Sequence, residues 1–408
     1  MNEPPPAGAS GRLPRLLAPT VVYGGNRIRL LVNGEQYFPE LLAAIEGARR
    51  VIEIETYIFA DDNIGHRFAD ALAAAGSRGV EVRLLIDGFG GGEHARRLVD
   101  ELGVHGVQVR IYRPERWWRL ERKLLRRLHR KFAVFDERLA YVGGINIIDD
   151  HNVPAHVRGR LGPRFDFAVA CEGPIVGAMT IAVRQLWRRL AFVDLRRRDG
   201  PLPPVTVPRP PAIAGGVPAS LVLRDNLRNR RAIERAYLQA FESAREQVVI
   251  ANAYFLPGRR LRAALVAVAG RGVRVRLLLQ GQPEYALQFH AQRALYGQLL
   301  AGGIEIHEYV ASYLHAKVAV VDHRWATVGS SNIDPYSLLL AREANVVVHD
   351  AGFARQLGAV LDEAIAQSSR PVALADVTSR GWLARARDWC AYFVVRLATV
   401  VLARGRDY

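Results

Sequence analysis

Two copies of one eight-residue pattern, His-x-Lys-x-x-x-x-Asp, constrain this 408-residue chain more than any other feature. The pattern residues are His129, Lys131 and Asp136 in the first copy and His315, Lys317 and Asp322 in the second. Only three of the 56 basic side chains are lysine, and two of these three lie in the patterns. We infer that both places need a compact ammonium group, which the planar guanidinium of arginine cannot replace.

The two patterns lie within a longer internal repeat. A glycine and an asparagine follow each histidine at the same offsets, namely Gly143 and Asn146 in the first half and Gly329 and Asn332 in the second. Upstream, the matching segments are 78–85 with 271–278 and 55–59 with 252–256. The chain is therefore predicted to fold as two similar halves, each with one histidine and one lysine of the pattern.

Bulk properties limit the class of protein. A hydrophobic content of 50% over 408 residues can bury a large core and suggests about two domains. The net charge of +16 favours a polyanionic partner, either nucleic acid or an anionic membrane. Cys171 and Cys390 provide no disulfide framework, which fits a reducing compartment. The N-terminal residues lack signal-peptide order, and no spanning helix is expected, because no long uncharged apolar run occurs.

Alternating strand and helix patterns predict an α/β fold. Residues 51–59 alternate like a strand, residues 64–75 have helical spacing, and residues 80–86 resemble a buried strand. We expect two repeated lobes, each a mixed, mostly parallel sheet flanked by helices. A pseudo-twofold axis would relate the lobes, with the functional site between them.

Composition divides the chain into five segments. Seven prolines between positions 201 and 218 indicate a semi-rigid connector between the halves. The predicted segments are a flexible tail (1–20), a first lobe (21–195), a proline-rich linker (196–219), a second lobe (220–370) and an apolar, membrane-associating tail (371–408).

Two segments are candidates for contact with a membrane surface. An insert at 113–128 is rich in arginine and contains Trp117 and Trp118, so it is either an interfacial helix or a surface helix packed onto its lobe. In the second candidate, 388–403, the residues from Trp389 to Ala403 are apolar apart from Arg396. At about 1.5 Å per residue they are too short to span about 30 Å of hydrocarbon, which leaves a shallow anchor or a docked helix.

The repeated histidines and lysines suit chemistry on a phosphodiester. Side chains two residues apart on a strand project to the same side, so each histidine projects with its lysine. If both pairs converge, the lysines bind the non-bridging oxygens while one neutral imidazole attacks phosphorus and the other, protonated, donates to the leaving alkoxide. A covalent phosphohistidine would divide the displacement into two steps. Fixed positive charge would replace a metal, so no metal and no cofactor are predicted. A lone strand histidine is more often a core residue, but the duplication favours catalysis.

The paired pattern resembles that of the phospholipase D superfamily over roughly residues 25–370. Further details resemble bacterial cardiolipin synthases of the form without N-terminal membrane helices. These details are the segments 143–146, 253–257, 314–317 and 329–334 and the position of Glu343.

The resemblance implies a role for each residue of the site. His129 would be the nucleophile and His315 the general acid and base. The residues implied to bind phosphate are Lys131, Lys317, Asn146 and Asn332, and those implied to hold the histidine tautomers are Asp166 and Glu343. Asp136 and Asp322 complete the catalytic motif of the family, although we expect them to be structural and paired with nearby arginines. Gly144 stands where the second half has Ser330, so a hydroxyl is available on one side only.

The resemblance implies transfer of a phosphatidyl group between two phosphatidylglycerol molecules, which gives cardiolipin and releases glycerol. The expected partners are anionic phospholipids, and the expected location is peripheral, on the cytoplasmic face of the inner membrane. Phospholipase D hydrolysis and exchange of headgroups use the same residues and stay open. A nuclease is also permitted by the charge, but the apolar tail and the tryptophans suit lipid better than nucleic acid. The fourth alternative is a non-catalytic basic protein on the membrane.

Overall fold

The computed structural model describes residues 20–114, 126–153, 161–194, 205–225 and 229–403. Most of the predicted N-terminal tail, most of the insert at 113–128 and part of the predicted linker lie outside these residues. The first half contains β1 (Val22–Val32), α1 (Asn33–Gly47), β2 (Val51–Thr56), α2 (Asn63–Ser77), β3 (Glu81–Asp87), α3 (Gly92–Gly103), β4 (Gln108–Tyr112), β5 (Phe132–Phe135), β6 (Leu139–Gly143), β7 (Phe167–Glu172) and α4 (Ile175–Asp194).

The second half repeats this order of elements with two additional helices within it, and it adds three elements at its end. It contains β8 (Val217–Arg224), α5 (Ala232–Ser243), β9 (Gln247–Asn252), α6 (Arg259–Gly270), β10 (Arg274–Gln280), α7 (Ala286–Arg293), α8 (Tyr296–Ala301), β11 (Glu305–Tyr309), β12 (Lys317–Val321), β13 (Trp325–Gly329), α9 (Pro335–Leu339), β14 (Glu343–Val348) and α10 (Ala351–Ser368). The additions are β15 (Ser369–Val372), α11 (Leu374–Thr378) and α12 (Trp382–Ala403).

The strands form one continuous 15-stranded sheet with β1 and β8 paired at its centre. Outward from β1 the order is β7-β6-β5-β2-β3-β4, and outward from β8 it is β14-β13-β12-β9-β10-β11, with β15 at the edge. The two orders match strand for strand, which confirms the α/β class and the two repeated lobes. The lobes meet as halves of a single sheet.

The prediction of mostly parallel sheets was wrong. Among the described strands, parallel pairing is confined to β2-β3-β4 in the first lobe and β9-β10-β11 in the second. Hairpins cause the difference, since β5 turns directly into β6 and β12 into β13. These strands are nonetheless apolar throughout, because helices cover both faces of the sheet and bury even consecutive side chains.

The lobes share part of their hydrophobic core. One buried cluster joins side chains of both halves, among them Phe132 and Val169 of the first and Val318 and Val346 of the second. Two further clusters lie within the first and second halves respectively. The shared cluster fixes the lobes against each other and therefore fixes any site built between them.

The C-terminal helix α12 packs on the body of the second lobe against α7 and α9. Asp388, which is 2% exposed, accepts hydrogen bonds from His290 and Arg380, and Tyr392 is also buried. Of the two alternatives for residues 388–403, the docked helix agrees with these contacts of the face of α12 that packs on the second lobe. Within the described part of the chain, no helix has both the length and the apolar character needed to cross a bilayer.

The aspartates of the two patterns hold hairpin turns. Asp136 and Glu137 have φ values of 50° and 60° in the β5–β6 turn, the left-handed region that tight hairpins require. The Asp136 carboxylate accepts the backbone N–H groups of Arg49, Arg50 and Val51 at 2.8–2.9 Å. These interactions lower the pKa of Asp136 against the opposing effect of burial.

Asp322 has the same environment in the second lobe. Its carboxylate accepts the backbone N–H groups of Arg245, Glu246 and Gln247, and its φ is 50°. The expectation that both aspartates are structural agrees with these contacts, but the partners are backbone amides rather than the arginine side chains we expected.

We predict that Asp136→Ala destabilises the protein without a matching loss of turnover. Three hydrogen bonds to a carboxylate are lost, and a left-handed residue loses its favourable side chain, so unfolding should become easier by about 3 kcal/mol. Urea unfolding, together with turnover per folded molecule, measures the effect. Asp322→Ala should behave alike because its contacts are alike. Unchanged stability with abolished turnover would show instead a direct part in catalysis.

Candidate active site

The two pattern histidines lie just before β5 and β12, where the backbone of each lobe contacts the other lobe. His129 N–H donates to Arg342 O at 3.0 Å, and His315 N–H donates to Phe165 O at 2.8 Å. Isolated β-bridges join Leu128 to Arg342 and Phe165 to Leu314. Each histidine is thus anchored to the backbone of the opposite lobe.

Both imidazoles line one cavity of about 1020 Å³. The structure therefore brings together two rings 186 positions apart in the chain, as the repeat predicted. Asn146 and Asn332 line the same cavity. Asn146 Oδ1 accepts from Ile58 N–H at 3.2 Å, which leaves its amide NH₂ for another acceptor.

Each histidine is oriented by a carboxylate from the other lobe. His129 Nδ1 lies 3.0 and 3.1 Å from the two carboxylate oxygens of Glu343 and 3.1 Å from Ser330 O. His315 Nδ1 lies 2.5 Å from Asp166 Oδ2. Because these groups accept the Nδ1 proton, the neutral rings present the lone pair of Nε2. The acids are the two that the sequence singled out, but the crossing between lobes was not foreseen.

Burial sets the protonation of the site. Desolvation lowers the pKa of His129 and places that of His315 well below its usual value, so both rings are neutral near pH 7. The nearby Glu343 carboxylate opposes this effect at His129. Burial also raises the pKa of Asp166 to about 6, against the lowering effect of Lys317.

The two lysines are buried directly behind the histidines. Lys131 Nζ donates to His129 O at 2.8 Å, and Lys317 Nζ donates to His315 O. Burial lowers their pKa to about 7 for Lys131 and about 8 for Lys317. A bound phosphate would stabilise their charged forms, since opposite charges attract strongly where water is excluded.

Asp136 and Asp322 are not brought to this cavity. They follow β5 and β12, so each is separated from its histidine by roughly 20 Å of extended chain at about 3.3 Å per residue. Their position outside the cavity agrees with the expectation that they are structural and does not support the catalytic part that the family motif implies for them.

The two sides of the site differ at one matched position. Ser330 Oγ donates to Glu343 Oε2 at 2.5 Å and accepts from Ala344 N–H at 3.0 Å. In the first lobe, a Cβ at Gly144 would lie 2.2 Å from Asp166 Oδ1, so only glycine leaves room for that carboxylate. The single hydroxyl noted in the sequence thus supports Glu343, the acid that orients His129.

Several cavity residues were missed by the sequence analysis. They are Tyr57, Asp150, Arg164, Tyr254 and Glu284, together with Val394 and Ala398 of α12. Asp150 accepts Gly34 N–H at 2.6 Å, and burial raises its pKa to about 6. Tyr57 and Tyr254 occupy matched positions of the repeat segments 55–59 and 252–256, and this match is the signal that could have found them. The other side chains share no motif, because distant loops and a terminal helix bring them together.

Comparison with known proteins gives a consistent family. The family described as "Cardiolipin synthase, PLD-like domain" matches residues 41–153 and 237–365. Cardiolipin synthase B of Escherichia coli (strain K12) and that of Shigella flexneri are each 38% identical over 385 residues, which are 91% of this chain and 88% of theirs.

Among solved structures, the phosphatidylserine synthase of Haemophilus influenzae Rd KW20 superposes with a TM-score of 0.66 at 15% identity. The superposition covers 92% of this chain and 94% of that one, which supports the fold alone. Together with the family match and the two closely similar relatives, the paired motif places this chain in the cardiolipin synthase family of phospholipase D-like proteins.

Proposed function

We propose that this protein is a cardiolipin synthase that transfers the phosphatidyl group of one phosphatidylglycerol to a second and releases glycerol. The observation that carries the proposal is the pair of imidazoles in one cavity, each oriented through Nδ1 by a carboxylate of the opposite lobe. The names of the similar proteins support the same substrate class.

In the first half-reaction, Lys131, Lys317 and the two asparagines bind the phosphate of the donor lipid. The neutral Nε2 of His129 attacks phosphorus, and a P–N bond forms as the bond to the glycerol oxygen breaks. The negative charge of the bound donor phosphate offsets the desolvation that keeps His315 neutral in the empty site and favours its protonated form. This ring, with its Nδ1–H held by Asp166, gives its Nε2 proton to that oxygen, so glycerol leaves neutral. The product on the enzyme is a phosphatidyl-histidine.

In the second half-reaction, His315 is neutral and accepts the proton of a hydroxyl on the acceptor phosphatidylglycerol. The hydroxyl oxygen attacks phosphorus, the P–N bond breaks, and cardiolipin leaves with His129 restored. Attack by water at the same stage would give phosphatidic acid. The buried lysines stabilise the charge that develops on the phosphate oxygens in both steps.

The wall of the cavity suits lipid substrates. Apart from the polar centre, it consists mainly of apolar and aromatic side chains, among them Tyr57, Phe89, Phe255, Leu256, Tyr336, Leu340 and Val395. Phe89 and Tyr336 are also exposed, at 58% and 38%, so the apolar surface continues from the cavity to solvent. Such a cavity can accept a polar headgroup at its centre with the start of the acyl chains against its wall.

The outer face of α12 extends this apolar surface. Trp382, Trp389, Phe393 and Leu397 are between 46% and 71% exposed and recur at helical spacing. Val394 is 53% exposed and also lines the cavity. Arg385 and Arg387 are exposed on the same helix, and the chain carries a net charge of +16. We propose that this face lies in the interface of an anionic bilayer, on the cytoplasmic leaflet of the inner membrane.

We predict that wild-type protein converts phosphatidylglycerol in vesicles to cardiolipin and glycerol, and that His129→Ala and His315→Ala both abolish steady turnover. His315→Ala retains the nucleophile, so it should accumulate the phosphatidyl adduct on the peptide containing His129. Mass spectrometry of the digested protein measures the adduct. An adduct on His315 in the His129→Ala protein would reverse the two roles, and phosphatidic acid as the sole product would refute the synthase.

We predict a bell-shaped dependence of kcat/KM on pH. Below about pH 6, protonation of Asp166 removes the acceptor of the His315 Nδ1 proton. Above about pH 7–8, deprotonation of Lys131 and Lys317 removes the charge that binds phosphate, well below the usual pKa of lysine. Initial rates at low phosphatidylglycerol concentration measure the profile. Lys131→Arg should turn over more slowly, because a guanidinium does not replace the compact ammonium, but its remaining rate should fall less at high pH, because the guanidinium stays charged. A fall in the wild-type rate only near pH 10 would contradict this origin.

We predict that Trp389→Ser combined with Phe393→Ser weakens binding to phosphatidylglycerol vesicles by about tenfold, because two large apolar side chains no longer enter the interface. Turnover of detergent-dispersed substrate should be retained, since neither residue lines the cavity. Sedimentation of vesicles measures binding.

The matched control is Val104→Ser, which removes a side chain that is 82% exposed at the end of α3. It should leave vesicle binding unchanged. If the double variant changed the molar mass in solution and not vesicle binding, the face would be a contact between copies of the chain.

A further inference from the structure

The cavity contains one feature that the two-histidine mechanism does not use. Arg164 is the only arginine or lysine among the described residues that line the cavity. Its side chain is 15% exposed, and its guanidinium lies 5.4 Å from the ring centre of Tyr313. Arginine remains protonated at every working pH, so a permanent positive charge lies at the wall beside the catalytic centre.

Arg164 interrupts the symmetry between the lobes. It stands two residues before Asp166, and the matching position of the second lobe, two residues before Glu343, holds Ala341. The neighbouring Phe165 pairs with the backbone of Leu314 and His315, so Arg164 lies on the His315 side of the site. Its charge is among the causes that lower the pKa of His315. The cation therefore accompanies the histidine that activates the acceptor hydroxyl.

The guanidinium retains donors for a ligand. Arg164 Nη1 donates to Glu284 Oε1 at 2.7 Å, and Nη2 donates to Asn152 O at 3.2 Å. Its Nε has no hydrogen-bond partner among the described residues. A guanidinium has five N–H groups, and these two hydrogen bonds use two of them, so three have no acceptor among the described residues. Glu284 also accepts from Tyr254 OH at 3.2 Å, and it competes with any anion for the same cation.

The proposed reaction places a second anion in this cavity. The acceptor lipid carries its own phosphodiester, three carbons from the hydroxyl that attacks, while the first phosphate is already bound at the histidines. Burial of an unpaired anion is costly, whereas a guanidinium binds phosphate by paired hydrogen bonds. Water and simple alcohols bring no charge and need no such partner.

Resting on the proposed synthase activity, we propose that Arg164 binds the phosphate of the acceptor lipid and thereby selects an anionic phospholipid over water or a neutral alcohol. Glu284 holds the guanidinium in place before the acceptor arrives and sets the strength of this selection. The two members of one ion pair thus have opposite effects on the choice of acceptor.

The experiment measures how the phosphatidyl group is divided between two acceptors. Purified full-length protein is given phosphatidylglycerol in detergent micelles with a fixed excess of ethanol, and cardiolipin, phosphatidylethanol and phosphatidic acid are quantified. Arg164→Gln should lower the ratio of cardiolipin to phosphatidylethanol by tenfold or more. Glu284→Gln, which keeps the shape and removes the competing charge, should raise the ratio. Arg164→Lys should give an intermediate ratio, because lysine keeps the positive charge but cannot form two parallel hydrogen bonds to a phosphate.

The outcomes separate this inference from the function on which it rests. A ratio that moves in the same direction in both Gln variants, or in neither, would show that the pair is only structural and overturn the role of Arg164. Wild-type protein that forms phosphatidylethanol but no cardiolipin would refute the synthase itself. Arg27→Gln breaks an exposed ion pair with Glu172 and should leave the ratio unchanged. Thermal unfolding of each variant shows whether a lower ratio of cardiolipin to phosphatidylethanol results from a destabilised fold.

Discussion

The crossed bonds between histidines and carboxylates are the interaction on which this structure depends. Glu343 of the second lobe orients His129 of the first, and Asp166 of the first orients His315 of the second. Neither lobe alone holds a complete imidazole–carboxylate pair, so the site exists only when the central sheet is continuous and the shared core is packed. Small displacements between the lobes would misplace both rings at once, and catalysis is sensitive to such shifts.

Burial of charge gives the site its chemistry and would be unfavourable without compensation. Lys131 and Lys317 are almost fully buried, and each donates to the carbonyl of its own histidine. Their lowered pKa values mean that the positive charge is stabilised most when an anion occupies the cavity. The same burial keeps the imidazoles neutral, as a nucleophile requires. In the proposed mechanism, this buried cationic centre takes the part that a metal ion plays in many phosphoryl transfers.

A few asymmetric positions interrupt the near symmetry of the two lobes around the cavity. Ser330 supports Glu343, while its counterpart Gly144 leaves space for Asp166. Arg164 stands at the position that Ala341 occupies in the second lobe. Helix α12, which follows the second lobe only, adds apolar side chains to the cavity wall. We propose that these differences distinguish the histidine that bonds to phosphorus from the one that moves protons, and that they allow different groups to hold the donor and the acceptor lipid.

The sequence by itself determined the repeat and the α/β class and predicted the paired histidines and lysines, because scarce lysines and equal offsets are visible in one dimension. The two carboxylates were implied by the family resemblance. Only the tertiary structure decided that the carboxylates cross between lobes, that hairpins make most pairings antiparallel, and that Asp136 and Asp322 hold turns. It alone brought Arg164, Glu284 and α12 to the cavity. The physical reason is that local periodicity reports the face and type of an element, whereas contacts between distant segments depend on how the elements pack.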